Sequence, residues 1–190
     1  MLVLKGTFSF SATPRNGPTI TDSYDIEITV PHEFPSAIPK VRERAKRIPR
    51  NGDYHINPDD TLCLGSPLRL LQKIAQEPTL PGFAGKCLVP YLYAVTFKME
   101  NGGKFIFDEL AHGTRGVLDD YMNLLGVDDE EQVIQTLRIL SMKRREGNKM
   151  ACPCVCGRNL GKCKFNLKIH ALRKLASRSW YKEHVGELRL

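Results

Sequence analysis

The chain has 190 residues, of which 42% are hydrophobic and 26% charged, and this composition is typical of a globular protein with one domain and a small appendage. No apolar run approaches the roughly 20 residues that a membrane span needs, and the N-terminus lacks the basic region, apolar core and cleavage site of a signal peptide. We therefore expect a cytoplasmic protein that does not use a membrane as a partner.

The formal net charge of +7 is concentrated near the C-terminus. Residues 141–190 contain 13 Lys and Arg against 3 Asp and Glu, whereas the preceding 140 residues carry a net charge of −3. Gly147 and Asn148 are typical chain breakers at this change of composition. The sequence thus predicts a first domain over 1–145 and a basic tail over 146–190.

Alternating apolar residues predict three strands, at 2–11, 20–30 and 41–48, with turns at 14–17 and 31–39. Connections of hairpin length favour an antiparallel meander. Helical spacing then predicts helices at 68–75, 83–99, 110–125 and 133–140, with Pro90 either kinking or starting the second of them. Strands first and helices afterwards indicate an α+β fold, an antiparallel sheet meander with helices on one face.

The segment from Asp53 to Gly65 points most directly to chemistry, because it places Cys63 eight residues after His55 and six after Asn57. A thiol in an exposed loop can carry an acyl group as a thioester. An asparagine amide can donate to the oxyanion of the tetrahedral intermediate without titrating. These residues indicate acyl transfer; the alternative is a small buried cysteine beside a turn. His112 is a further candidate, either as a proton acceptor near the thioester or as a capping or core histidine.

The order of motifs around this loop resembles the ubiquitin-conjugating enzymes. An alternating strand is followed by a Phe-Pro turn, a Pro-x-Val strand start, a His-x-Asn element and Leu-Cys-Leu. Matched residue by residue, His55 and Asn57 fall on the ends of the family's His-Pro-Asn element, and Cys63 falls on its thioester-forming cysteine. Ile56 replaces the central proline, and the spacing from asparagine to cysteine is shorter than in the eukaryotic enzymes. The match covers residues 1 to about 125 and points to a divergent prokaryotic branch.

The resemblance implies a cysteine-dependent transferase. Cys63 would receive the C-terminal carboxyl group of a protein and pass it to an amine on a target, while Asn57 stabilises the oxyanion and His55 mainly holds the loop. Bacterial relatives occur in antiphage operons of the CBASS type, often beside a nucleotidyltransferase that makes cyclic nucleotide signals, and the C-terminus of that enzyme is one expected acyl group. The chain has neither Gly-x-Gly-x-x-Gly nor Gly-x-x-x-x-Gly-Lys-Ser/Thr, so any ATP-driven activation belongs to another polypeptide.

Two other classes of function stay open at this point. One is a non-catalytic binder of a ubiquitin-like protein, and the other is a zinc-dependent nucleic-acid-binding protein whose first domain only docks or dimerises. The presence of Cys63 together with Asn57 favours the transferase over the binder, because a binder needs neither residue.

A second cluster of cysteines lies in the tail, at Cys152, Cys154, Cys156 and Cys163. Thiols with this spacing can surround one tetrahedral structural zinc ion, whereas redox-active or merely reduced cysteines are the alternative. The Cys-Pro-Cys opening resembles the short zinc-binding motif at the end of bacterial translocase motor proteins. In that motif a cysteine or histidine directly follows the third ligand, but here Lys164 stands there. The fourth ligand is therefore either Cys156 or His170.

An amphipathic basic helix is predicted after this cluster. Apolar residues recur at helical spacing from Leu167 to Leu175, with Lys168, Arg173 and Lys174 on the other sides. A clamp for nucleic acid or for an acidic partner surface is one interpretation. A helix that packs on the protein and leaves a solvated basic face is the other.

Overall fold

A computed structural model describes residues 1–15, 17–102 and 113–189. By the density of its internal contacts the chain forms two compact units, Met1–Glu109 and Leu110–Leu190. The first unit is a sheet with helices and the second is helical, so the α+β class is confirmed. Among the described residues, no helix combines the length and the apolar character that crossing a membrane would require.

The sheet is an antiparallel meander with the order β1-β2-β3, as predicted. Strands β1 (Leu2–Ala12) and β2 (Ile20–Val30) pair along their whole length, from Leu2 opposite Val30 to Ala12 opposite Ile20. The outer edge of β1 has no strand partner in the described part of the chain, and its first residues expose apolar side chains: Met1, Leu2, Val3 and Leu4.

The third strand, β3 (Lys40–Glu43), is shorter than the predicted 41–48. The chain leaves the sheet after Arg44, whose N–H donates to the Asp25 carbonyl at 2.8 Å. Lys46 then has φ of 54°, a left-handed conformation that a strand does not contain. The side chain of Ile48 is nevertheless fully buried in the core. Its apolar character therefore led us to extend the predicted strand to residue 48.

Helices cover the sheet of the first unit. Helices α1 (Pro67–Gln76) and α2 (Leu80–Phe83) are followed by a π-helical turn, Ala84–Leu88, and by α3 (Val89–Asn101), which packs against β1 and β2. The chain is already helical through the π-helical turn, so Pro90 lies inside a continuous helical path, where the regular hydrogen bonding is interrupted and its missing N–H is tolerated. The core combines both layers: Tyr24, Ile26, Val41, Ile48, Leu62, Ile74, Phe83, Leu88, Leu92 and Val95.

The second unit consists of α4 (Gly113–Leu125), α5 (Glu130–Ser141), α6 (Arg144–Gly147), α7 (Phe165–Leu172) and α8 (Arg178–Glu187). The N-cap of α5 is Asp129, whose carboxylate accepts from the Gln132 N–H at 2.8 Å. Helix α5 packs against α7 and α8 of the tail. The compact units therefore divide the chain earlier than the predicted boundary at 145/146.

Helix α8 lies beyond the last predicted element. The Ser177 side chain caps its N-terminus by accepting from the Trp180 N–H at 3.1 Å. Its buried residues are Tyr181 and His184, and the buried Leu188 follows at its C-terminus, so the three share one helix face. Hydrophobic periodicity did not reveal this face, because His184 stands where a second apolar residue would be expected.

Candidate functional site

Cys63 lies at the end of a short hairpin that is attached to the edge of the sheet. Ile56 and Leu62 form an antiparallel bridge, and the Cys63 N–H donates to the His55 carbonyl at 2.8 Å. The Leu62 N–H donates to the Val41 carbonyl of β3, also at 2.8 Å. Leu62 is buried in the core, whereas the side chain of its neighbour Cys63 is only half-buried.

A network of polar side chains closes the tip of this hairpin. The Asn57 amide Nδ2 donates to Thr61 Oγ1 at 3.0 Å, and Thr61 Oγ1 donates to Asp59 Oδ1 at 2.5 Å. Lys40 on β3 forms an ion pair with Asp59 at 3.1 Å. The Thr61 hydroxyl, followed by Lys40, lowers the pKa of Asp59 to about 2. The tip is therefore held in one conformation at neutral pH.

Arg50 forms a second ion-pair network, which links the hairpin to the end of β3. Arg50 contacts Asp60 at the tip, with Nε 3.2 Å from Oδ1, and its Nη2 lies 3.4 Å from the Glu43 carboxylate. The same Nη2 donates to the Glu43 backbone carbonyl. Glu43 is only 1% exposed, so Arg50 partly neutralises a buried charge while it ties the hairpin to the end of β3.

The thiol of Cys63 is half-buried and free. Burial raises its pKa, and the Gly65 backbone N–H, which donates to the sulfur, partly opposes this effect. Gly65 has φ of 134°, a conformation that other residues rarely adopt. The glycine after Cys-Leu thus lets a backbone donor point at the sulfur.

Tyr91 supports the hairpin from α3. Its hydroxyl donates to the Tyr54 carbonyl at 2.7 Å, immediately before His55. Burial raises the pKa of Tyr91, and the negative charge of a Cys63 thiolate raises it further. Tyr91 and Cys63 are therefore electrostatic neighbours, which the sequence could not indicate because they lie 28 positions apart on different elements.

The structure brings three of the four predicted catalytic residues into one hairpin: His55, Asn57 and Cys63. His55 has φ of 53°, and this left-handed turn follows the 3₁₀ turn Gly52–Tyr54 and starts the hairpin. One N–H of the Asn57 amide is already used by Thr61, so only its second N–H is free of that bond. His112 lies outside the described residues.

The four tail cysteines converge in the second unit. Their sulfur atoms all lie within 4.8 Å of one another, and three sulfur–sulfur distances are 3.2, 3.5 and 3.6 Å. A tetrahedron with metal–sulfur bonds of about 2.3 Å has edges of about 3.8 Å. The distances are therefore close to those around one metal ion, and none of the four cysteines is in a disulfide.

The backbone that holds these thiols is a knuckle. Ala151 and Asn159 form an antiparallel bridge, while Val155 and Gly157 have φ of 56° and 71° and make the tight turn between them. Cys163 follows a 3₁₀ turn and its sulfur accepts from the Phe165 N–H at 3.4 Å, at the start of α7. An N–H directed at a sulfur stabilises a thiolate, the form that binds metals.

The group of side chains close enough to hold one ion includes Cys156 as its fourth thiol and does not include His170, among the described residues. Cys156 is exposed, whereas Cys152 is 5% exposed. Arg158 lowers the pKa of Cys156 to about 6, and burial raises that of Cys152. The group is able to hold a metal ion, with one sulfur at the surface.

The predicted basic face of the tail helix is smaller than expected. Lys168 donates to the carbonyls of Leu124 and Leu125 at the end of α4. Arg173 donates to three carbonyls at the end of α5, those of Ile139, Leu140 and Met142, at 2.7 to 3.2 Å. These two cations satisfy helix C-termini and stabilise the unit. By contrast Leu167, predicted on the apolar face, is 74% exposed.

Comparison with known proteins gave no match to a family model, to a curated protein or to a solved structure.

Proposed function

We propose that this protein carries an acyl group on Cys63 as a thioester and transfers it to an amine on a target protein. The observation that carries the proposal is the register of the hairpin. The bond between the Cys63 N–H and the His55 carbonyl places a half-buried thiol at the rim of the sheet, next to the His-x-Asn element. A thiol nucleophile and an amide donor on the same hairpin are the two groups that acyl transfer uses.

In the loading step the Cys63 thiol loses its proton to a base in solution, and its sulfur attacks an activated acyl carbon. The new carbon–sulfur bond forms as the bond to the activating group breaks. In the transfer step an amine attacks the thioester carbon, a carbon–nitrogen bond forms, the carbon–sulfur bond breaks, and the ammonium proton passes to solvent. The second N–H of Asn57 donates to the oxyanion in both steps.

The raised pKa of the Cys63 thiol fits a residue that carries an acyl group. Burial raises the pKa of its thiol, and a thiolate of higher pKa is a poorer leaving group. The thioester is therefore retained until a good nucleophile arrives. The Gly65 N–H directed at the sulfur limits the rise of the pKa, so the thiolate remains accessible for loading.

The tail cysteines bind one zinc ion with a structural role in this proposal. Four sulfur ligands close the coordination shell, which leaves no position for an activated water. The antiphage setting and the nucleotidyltransferase as the conjugated partner rest on the resemblance to the bacterial ubiquitin-conjugating-like proteins.

The test is to express variants of Cys63 in the native host that keep the acyl group covalently attached to position 63. In Cys63→Lys the thioester is replaced by an amide that cannot be passed on, so a stable adduct is expected to accumulate at position 63. Peptide mass spectrometry then identifies both the modified lysine and the C-terminus attached to it. Cys63→Ser is expected to give a base-labile ester to the same C-terminus.

Cys63→Ala is the matched control, because it removes the nucleophile and leaves the backbone of the hairpin unchanged. An adduct on the alanine variant, or none on the lysine, serine and wild-type proteins, contradicts the proposal. The buried Cys87, 1% exposed, offers a second control, since Cys87→Ala is expected to load normally.

A further inference from the structure

The second unit contains a surface groove that neither the hairpin nor the cysteine cluster uses. It lies where the end of α5, the start of α6 and the link between α7 and α8 come together, and it has a volume of about 470 Å³. We call it the basic groove, and its lining is Leu140, Lys143, Arg144, Arg173, Ala176, Ser177 and Arg178. Four of these seven residues are cations and none is an acid.

The exposed cations of the basic groove lack a carboxylate partner in the part of the chain that the structure describes. Lys143, Arg144 and Arg178 are exposed, and no ion pair joins them to a carboxylate among the described residues. Burial lowers the pKa of Arg173, and the charges of Arg178 and Arg144 lower it further. These like charges are therefore close together, an arrangement that costs free energy until an anion enters.

The floor of the basic groove is fixed. Three carbonyls at the end of α5 hold the Arg173 guanidinium, whose five N–H groups leave further donors for a ligand. Gly147 permits this position, because a Cβ there would lie 3.1 Å from Arg173 Nη2. The α8 N-terminus, capped by Ser177, adds its positive end to the same rim.

We propose that the basic groove binds the phosphate groups of a small phosphorylated molecule of the nucleoside diphosphate class. Guanidinium groups recognise phosphate by paired hydrogen bonds. The volume lies in the usual range for a small-molecule site, roughly 300 to 1,000 Å³. Leu140 and Ala176 supply an apolar surface for a base or a sugar. A nucleic acid strand offers the same phosphate chemistry, so the experiment includes both sources.

The experiment compares two triple variants that remove the same charge from the full chain. The groove variant combines Lys143→Gln, Arg144→Gln and Arg178→Gln, and it keeps Arg173, which stabilises α5. The control variant combines Lys174→Gln, Lys182→Gln and Arg189→Gln at exposed positions outside the groove. Binding of ADP is measured by calorimetry, and binding of a fluorescein-labelled RNA octamer by anisotropy.

The wild type is expected to bind at least one probe, and the groove variant to bind it at least about tenfold more weakly, because three phosphate contacts are lost. The control variant is expected to stay within about threefold of the wild type, since distant exposed charges act only through a screened field. Binding of ADP identifies a nucleotide as the source of the phosphates. Binding of the octamer alone would overturn the assignment to a small nucleotide and identify a strand instead, and the dependence on salt concentration would then weaken in the groove variant only.

Equal losses in the two triple variants would overturn the proposal, because the binding would then reflect the net charge of the tail. Failure of the wild type to bind either probe at millimolar concentration would overturn it as well. Arg178→Gln alone is a milder variant in case the triple one unfolds, and it is expected to weaken binding by several-fold through the loss of one charged contact. None of these outcomes depends on chemistry at Cys63.

Discussion

At the scale of single residues, Asn57 has to serve two roles with one amide. One N–H holds the tip of the hairpin through Thr61, and the proposed function assigns the other to the oxyanion. We predict that Asn57→Ala slows thioester formation and discharge about a hundredfold, the usual effect of losing one oxyanion donor. The measurement is the rate of loading and of transfer to a free amine.

The matched variant is Thr61→Val, which breaks the bond within the hairpin and leaves the Asn57 amide in place. If Asn57 acts on the oxyanion, this variant loses far less activity than Asn57→Ala. Equal losses in the two variants would show instead that Asn57 only holds the hairpin.

The raised pKa of the Cys63 thiol gives a second prediction at this scale. A higher pKa means a smaller thiolate fraction at neutral pH, so alkylation by iodoacetamide is expected to be slower than for an unfolded cysteine and to keep rising above pH 9. Mass spectrometry of the Cys63 peptide gives the rate at each pH. The same peptide in urea is the reference, with a half-maximal rate near its ordinary pKa of about 8.5. Coincident profiles in native and unfolded protein would contradict the prediction.

At the scale of elements, the hairpin tip is expected to lose stability in acid through Asp59. The pKa of this carboxylate is about 2 in the folded protein, below its unfolded value, so its contribution to stability is complete above about pH 4 and is lost as the pH falls towards 2. Asp59→Asn removes a contribution that we place below about 1 kcal/mol, because the carboxylate is exposed.

Urea unfolding of the wild type and of Asp59→Asn at pH 7, 4 and 2 measures this contribution. The difference in the free energy of unfolding is expected to be largest at pH 7 and to be mostly lost at pH 2, where half of the folded protein already carries a protonated Asp59. A difference that is independent of pH would mean that the amide disturbs the hairpin by its shape and not by its charge.

The tail helices give another prediction for elements, because Lys168 binds the last carbonyls of α4. Lys168→Met is expected to destabilise the second unit by about 1 kcal/mol, since it leaves those carbonyls without this donor. Lys174→Met is the matched control, since Lys174 is exposed, and it is expected to change stability by less than about 0.5 kcal/mol. Similar losses in thermal unfolding for the two variants would contradict the capping role.

The sequence predicted the elements in which the pattern of residue types along the chain follows the burial of the side chains. Strand β2 and the second half of β1, from Phe8 to Ala12, alternate in burial because one face is covered, and the period of two is visible along the chain. The cysteine cluster was predicted because its ligands are close in sequence. By contrast, the partners of Lys168 and Arg173 are backbone carbonyls, which have the same chemistry at every position. No sequence pattern could have indicated which cation would donate hydrogen bonds to these carbonyls.

At the scale of the whole molecule, we predict that the metal and the acyl chemistry are separable. The cysteine cluster lies in the second unit and Cys63 in the first. Elemental analysis is expected to give about one zinc ion per chain, and less than about half an equivalent would count against the site. Stripping the ion with a chelator is expected to expose amides of 148–189 to hydrogen exchange, because the ion stabilises this small knuckle.

Thioester formation at Cys63 is expected to continue at the same rate in the stripped protein, and the amides of β1 and β2 to keep their protection. Cys154→Ser provides the matched variant, since it removes one inner ligand without a chelator. Loss of loading in both cases would show that the zinc ion supports the first unit as well.

The outer edge of β1, which has no strand partner in the described part of the chain, has a practical consequence for the purified protein. A strand with unpaired backbone groups and exposed apolar side chains is a template for another strand, so concentrated samples are expected to associate along this edge. Val3 is 40% exposed and lies outside the buried core, so Val3→Lys is expected to raise solubility without a loss of stability. Crystallisation and long kinetic experiments would then start from this variant.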